Sequence, residues 1–361
     1  MKTLKIAILL CIAANFAISC SSDEFSENTP QSPQNYNTHK AGGGGNPPQP
    51  VANNVVTIAG NQPGYADGTG TAALFMFPRG LCKDASGNVY VADYANHKIR
   101  KITPANVVTT FAGSSNGYAN GTGTAAQFSY PFGLCMDSSG NLFVSEAYGR
   151  IRKITPAGVV STFVYLVAAL PPGIAYSPDD ICIDSLDNIY VADVNNELIH
   201  KITPAGVVST FAGSTLGYAD GTGTAAQFNN PAGICTDSSD NIYVSDAGNV
   251  KVRAISPAGV VTTLAGSTAG YNDGAPASAQ FNNLAGMCVN GNVIYVTDDH
   301  RIRKIAITNG TVYTMAGGAF AGDVDAVGAN ARFNAPQGVV FANSKLYVAD
   351  TFNSKIKTVT P

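Results

Sequence analysis

Three histidines, five cysteines, a sixfold set of acids and a recurring tyrosine are the residues of this 361-residue chain whose types and spacing could do chemistry. His97, His200 and His300 could hold a metal if they converged. His97 and His300 each stand directly before the basic residue of KIRKI or RIRKI, but His200 falls where other copies carry Arg100 or Arg303. The three are out of step, so no metal is assigned to them. Cys82, Cys135, Cys182, Cys235 and Cys288 share one place in the repeat, two residues after a glycine in all but Cys182, and Val340 takes that place in the sixth copy. A valine substitute marks a small apolar slot rather than a disulfide framework or a thiolate ring. The acids Asp93, Glu146, Asp193, Asp246, Asp298 and Asp350 follow six copies of one strand and fit acceptors for their own loops. Arg100, Arg152, Arg253, Arg303 and Lys357, on the strand after each, are their natural partners. With no nucleophile elbow and no phosphate-binding glycine motif, no catalytic residue is assigned.

Binding chemistry is better represented. Tyr65, Tyr118, Tyr218 and Tyr271 recur in segments of the type NQPGYADGTGTAALFMFPRG, where a ring of aromatic side chains could stack on sugars or grip a polypeptide. The competing reading has each tyrosine, with Phe75, Phe128, Phe228, Phe281 and Phe333, plugging the gap between neighbouring units. Asp67, Asp220 and Asp273 precede glycine and read as turn formers. Calcium is the one cofactor such loops could take, although a single loop lacks the dense oxygens of a dedicated calcium site. One unit departs from the pattern: after VVSTF at 159–163 come VYLVAALPPGIAYSPDDICID. There Leu170, Pro171, Pro172, Tyr176, Asp179 and Asp180 are expected to form an apolar, acidic-edged lip.

The elements that must carry these residues repeat. YVAD at 90–93 returns as FVSE, YVAD, YVSD, YVTD and YVAD at spacings of 53, 47, 53, 52 and 52 residues. Around each copy the order is constant: a proline-glycine approach, a short apolar strand, a turn, the YVAD strand, a loop, a basic-apolar strand, the turn TPAG and a fourth strand. In NVYVA both alternating sets are apolar, so both faces of the sheet need cover and the units must stack. Four-stranded units of this length that stack face to face predict an all-β, six-bladed β-propeller. Its ends agree. The array opens at Asn54 with VVTIAG, a fourth strand, and stops at KIKTVTP, a third strand. Pairing 55–59 with 355–359 would close the last blade with the N-terminal strand and remove the sheet edges. Loops after the second and fourth strands would then share one face, the top.

The run GLxxDxxGNxYVADxxNHxIRKI at Gly80 to Ile102 resembles the NHL repeat. The resemblance covers most of the chain and implies the propeller fold and a binding platform. It implies no single activity, since similar propellers include protein binders, RNA binders and a few lyases. Some six-bladed relatives are amidating lyases with a zinc held by three histidines in the central channel, a set that the mismatched histidines here do not reproduce.

The N-terminus reads as a targeting device. Lys2 and Lys5 precede IAILLCIAANFAI, which ends in AISC, similar to a bacterial lipobox with Ala17 in the usual leucine place. Residues 1–19 are expected to be a lipoprotein signal peptide, Cys20 the lipidated residue, 20–50 a flexible tether and 51–361 the propeller. The SSDE after Cys20 is similar to export signals of Gram-negative surface lipoproteins. A formal net charge of −3 gives no pull toward nucleic acid. The expected protein is a monomeric, non-enzymatic scaffold, lipid-anchored to the outer membrane at the cell surface. It would take a glycan or an extracellular protein on its top face. The alternative is a metal-dependent lyase or lactonase-like enzyme that uses the central channel.

Overall fold

A strand apolar on both faces has to be covered twice, and this chain meets the demand by stacking sheets around an axis. The computed structural model describes residues 53–166 and 177–360. Leu170, Pro171, Pro172, Tyr176 and Cys20 lie outside the described residues, as do the signal and tether segments.

Six antiparallel sheets follow one another as blades, numbered here in chain order. Blade 1 holds Pro78–Lys83, Val89–Asp93, Lys98–Ile102 and Val107–Ala112; blade 2 holds Pro131–Met136, Leu142–Glu146, Arg150–Ile154 and Val159–Tyr165. Blade 3 holds Pro178–Ile183, Ile189–Asp193, Leu198–Ile202 and Val208–Gly213; blade 4 holds Pro231–Thr236, Ile242–Asp246, Lys251–Ile255 and Val260–Ala265. Blade 5 runs through Leu284–Asn290, Val293–Asp298, Arg301–Ala306 and Val312–Gly317. Blade 6 has Val339–Ala342, Lys345–Asp350 and Lys355–Thr360, and its fourth strand is Asn54–Ala59. Val55 pairs with Val359 and Thr57 with Lys357, so the ring is closed by the N-terminal strand.

One addition goes beyond four strands. In blades 1, 2 and 4 the Gly-Thr of the GTG segment pairs with the outer strand, as Gly68 with Val108 and Thr69 with Val107. This fifth strand covers an edge whose N–H and C=O groups would otherwise face water.

The hydrophobic core is divided into layers between blades. Phe75, Leu81, Val91 and Val108 of blade 1 meet Tyr347, Ala349 and Ile356 of blade 6 on one side. Tyr90, Ala92 and Ile99 meet Phe128, Leu134 and Val144 of blade 2 on the other. Phe75, Phe128, Phe228, Phe281 and Phe333 are fully buried and fill these layers.

Between strands two and three of each blade sits a buried acid with a basic partner. Asp246 and Arg253 are both inaccessible and lie 2.7 Å apart. Asp93–Arg100 at 2.8 Å, Asp298–Arg303 at 2.6 Å and Asp350–Lys357 at 3.3 Å repeat the arrangement, with Glu146–Arg152 and Asp193–His200 as variants at 3.2 Å. Each acid also ties its surroundings. Asp93 accepts the Met76 N–H at 2.8 Å and the Asn96 amide at 2.9 Å. The arginine reaches on to the next loop, Arg100 Nη2 donating to Asp67 and to the Ala66 carbonyl, both at 2.7 Å.

Two outcomes are expected. Arg253→Met strands a buried carboxylate and costs about 3–5 kcal/mol in urea unfolding; a loss below about 1 kcal/mol would contradict a compensating pair. Val55→Asp sets a charge in the closing strand and lowers stability by roughly 3 kcal/mol or more, so an unchanged midpoint would mean that the closure contributes nothing.

Candidate functional site

The innermost strands of all six blades line an axial cavity of about 330 Å³. What each blade contributes follows from its P-x-G-x-C run. At the glycine place stand Gly80, Gly133, Gly233, Gly286 and Gly338, and close packing explains the residue type. A β-carbon on Gly80 would lie 2.3 Å from the Phe132 carbonyl, on Gly233 2.0 Å from that of Ala285, and on Gly338 2.2 Å from that of Arg79. In blade 3 the same place is Asp180.

Asp180 thus puts a carboxylate at the waist of a ring otherwise built from bare backbone. Its Oδ1 accepts the Ile181 N–H at 3.0 Å, and its Oδ2 takes a longer contact of 3.4 Å from the Ile234 N–H of blade 4. Burial, and then the charge of Asp179, push its pKa up to about 7, against the pull of those two N–H groups. Asp179 is raised by burial too, and the Arg79 guanidinium opposes the rise.

The place before the glycine varies freely: Arg79, Phe132, Asp179, Ala232, Ala285 and Gln337. Arg79 lies 4.3 Å from the centre of the Tyr94 ring and 4.7 Å from that of Phe132, and its Nη1 donates to Gln337 Oε1 at 3.3 Å. Its Nε is buried without a partner among the described residues. Tyr94 packs on Tyr130 and Phe132, each at 5.0 Å between centroids, and His97 on Tyr130 at 4.6 Å. One sector of the mouth therefore combines an aromatic wall, a stacked cation, an amide and two half-buried carboxyl groups. Such a mixture of ring faces and convergent polar groups suits a small, hydroxyl-rich ligand.

The cysteines occupy the next ring along the channel. Cys135, Cys182, Cys235 and Cys288 are buried and Cys82 is half-buried. Burial pushes the thiols of Cys82 and Cys288 up to about 12 and raises the other three as well. Raised thiols are poor nucleophiles and poor metal ligands, in line with a packing role.

The structure brings Asp179 and Asp180 into the channel wall rather than onto a protruding lip, because both belong to the strand Pro178–Ile183. It keeps the four candidate tyrosines apart, one per blade, outside the channel lining. Tyr65 and Tyr218 are half exposed and bond Thr110 at 3.0 Å and Thr263 at 2.9 Å on the outer strands. Tyr271 donates to Asp299 at 2.6 Å, and Tyr118 is stacked by Arg150. Asp67, Asp220 and Asp273 are already engaged by Arg100, Arg253 and Arg303, and each also takes the hydroxyl of Thr110, Thr263 or Thr314. His97 and His300 accept the N–H groups of Tyr130 and Ala335 at 3.2 Å, while His200 faces Asp193 inside blade 3. Among the described residues no three His, Cys, Asp or Glu side chains are grouped to hold a metal.

Arg79, Tyr94, Phe132 and Gln337 escape a reading that follows the repeat. A signal for three of them was present: the residue before the glycine place is one near the axis that changes from blade to blade.

An ionised Asp180 costs folding energy, since its folded pKa lies above its unfolded value. That cost is absent at low pH and grows as pH rises from about 4 through about 7. Asp180→Asn is therefore expected to melt above the parent protein at neutral and alkaline pH, with the gap closing toward pH ~4. A gap independent of pH in calorimetry would contradict this assignment.

The NHL repeat family matches residues 75–102 and 228–254. Human NHL repeat-containing protein 2 is 26% identical over 302 residues, 68% of this chain and 41% of that protein. The curated relatives are matched over less than half of their own length. Among solved structures, a Bacteroides thetaiotaomicron protein of unknown function superposes with a TM-score of 0.69 at 20% identity, covering 86% of this chain and 76% of that one. An auxiliary nutrient binding protein from Bacteroides ovatus gives 0.64 at 15% identity over 85% and 76%. A gluconolactonase from Xanthomonas campestris gives 0.55 at 12% over 87% and 99%. At these identities the superpositions speak to the fold alone. The chain thus carries NHL repeats in blade 1 and again at blade 4 of a closed six-bladed β-propeller.

Proposed function

We propose that this protein is a non-enzymatic glycan-binding propeller whose ligand enters the axial channel from the top face. The observation that carries the reading is Asp180. A half-buried carboxylate, its pKa pushed up by burial, stands where five of six blades have glycine, and it serves no part of the repeat. Ligand hydroxyls would donate to Asp179 and Asp180, Arg79 and Gln337 would hold ring or glycosidic oxygens, and the Tyr94–Phe132 wall would take an apolar sugar face. A cavity near 330 Å³ fits a sugar unit better than a folded partner. The likeness in fold to a nutrient-binding protein supports the same role. Export and anchoring through Cys20, on the tether of residues 20–50, would present a monomeric propeller at the outer-membrane surface.

A second reading, a lyase or lactonase-like enzyme, draws on the gluconolactonase fold match and on a carboxyl group that titrates near neutrality. The two part on turnover: an enzyme would consume a lactone or cleave a linkage, whereas a binder returns its ligand unchanged.

Titration of the protein with neutral oligosaccharides by calorimetry tests the first reading. Arg79→Ala and Asp180→Asn should each weaken binding by roughly tenfold or more, the value of one charged hydrogen bond. Because hydroxyls donate more strongly to the ionised carboxylate than to the protonated one, affinity should fall as pH drops through about 7, and Asp180→Asn should flatten that dependence. Wild-type affinity that is flat with pH, or indifferent to both substitutions, would remove the channel from consideration.

A further inference from the structure

A second non-repeating feature lies away from the channel, on blade 2. Arg150 opens the third strand there, and its guanidinium carbon is 3.6 Å from the centre of the Tyr118 ring and 4.6 Å from that of Tyr165. Together with Tyr148, Ser129 and Asn116 these residues line a surface depression of about 530 Å³. Tyr118, Tyr148 and Tyr165 are 40%, 62% and 37% exposed, so three ring faces and their hydroxyls stand open around one cation.

In three other blades a lysine at this place is engaged, whereas Arg301 of blade 5 is stacked like Arg150 and its Nη1 is buried with no partner among the described residues. Lys251 donates to the Ser267 carbonyl at 2.8 Å, Lys98 to the Ser114 carbonyl, and Lys355 pairs with Asp323. Arg301 lies over Tyr271, whose hydroxyl is held by Asp299. Arg150 is stacked between rings yet has no hydrogen bond or ion pair among the described residues. The nearby Glu146 is no substitute, being fully buried on Arg152 and the Ser129 N–H. Tyr165, moreover, stands where other blades have Gly113, Gly213, Gly266 and Gly317, at which a β-carbon would lie 2.3–2.5 Å from a loop carbonyl. In blade 2 the loop residue at that place is Gly149.

We propose that this depression binds a carboxylated sugar, that is, a uronic-acid residue of an acidic glycan. Tyrosine rings flank the guanidinium, which leaves its in-plane N–H edge to a partner, and a planar carboxylate matches that edge with two parallel hydrogen bonds. The C–H face of the same sugar would lie on Tyr148, the most exposed of the three rings, and its hydroxyls would meet the phenols. The site is separate from the channel and does not depend on the glycan reading given to it.

The test uses the full chain and a panel of uronic-acid trisaccharides containing galacturonate, glucuronate or mannuronate, each beside its methyl ester. Calorimetry should find a member whose binding weakens roughly tenfold or more on esterification and to the same extent in Arg150→Gln. Tyr148→Ala, at an exposed ring, should also weaken it without changing the melting temperature. Asp180→Asn should leave it unaltered, which distinguishes this site from the channel. Binding that is unchanged in Arg150→Gln, an equal affinity for the esters, or no binding by any acidic sugar would overturn the proposal. So would capture of an acidic peptide through Arg150 with no competition from the sugars.

Discussion

The fold rests on a carboxyl group buried at the same place in every blade, beside Arg or Lys in five and beside His200 in blade 3. Neither partner could be inaccessible alone, because an unpaired charge in that environment costs several kcal/mol. Burial raises the carboxyl groups of Asp93, Asp246, Asp298 and Asp350, while the cation and the loop N–H groups pull them back. The pair therefore holds only while the approach loop, the second hairpin and the DG loop are all in place to complete it. That requirement converts a set of local turns into one top face with defined geometry. The variants obey the same logic: Lys357, with one ammonium instead of a fork, gathers Asp323 and Asp325 besides Asp350. Glu146, with a longer side chain, meets Arg152 at 3.2 Å and pairs with a loop carrying Asn120 in place of the aspartate.

A second constraint acts at the axis. Inner strands of neighbouring blades approach so closely that a β-carbon has no room at five of the six places. In a repeat held this tightly, side chains that appear where glycine is the rule cannot be explained by packing. Asp180 and Tyr165 are two such residues, and both fall in the sector of blades 2 and 3, where the spacing between copies also shortens to 47 residues. Tyr165 lies under Arg150, and Asp179, the neighbour of Asp180, feels the charge of Arg79, each cation being stacked on aromatic rings. The regular part of the molecule thus acts as a frame, and the chemistry gathers where the repeat is broken.

The residues that first draw attention as reactive are mostly absorbed by that frame. Five thiols sit in equivalent slots, raised by burial, and valine serves equally in the sixth. The histidines accept backbone N–H groups or face an acid within their own blade. The DG aspartates complete the arginine fork.

Repetition made the fold legible in the sequence. Six copies of one hairpin, apolar on both faces, already demand stacked blades, and complementary end fragments, VVTIAG and KIKTVTP, already demand closure; the observed Val55–Val359 pairing follows from those patterns. Period-two alternation is a local property, so it also told which residues face the layers between blades. What no local pattern encodes is the angle of each blade about the axis. Arg79 and Gln337 touch although 258 residues separate them, and Asp180 meets the Ile234 N–H across a blade boundary. The four recurring tyrosines, identical in sequence, are dispersed by the sixfold rotation, while dissimilar residues at one height are gathered by it. Sequence by itself determined the units and their number; only closure of the ring decided which of the exceptions would share a site.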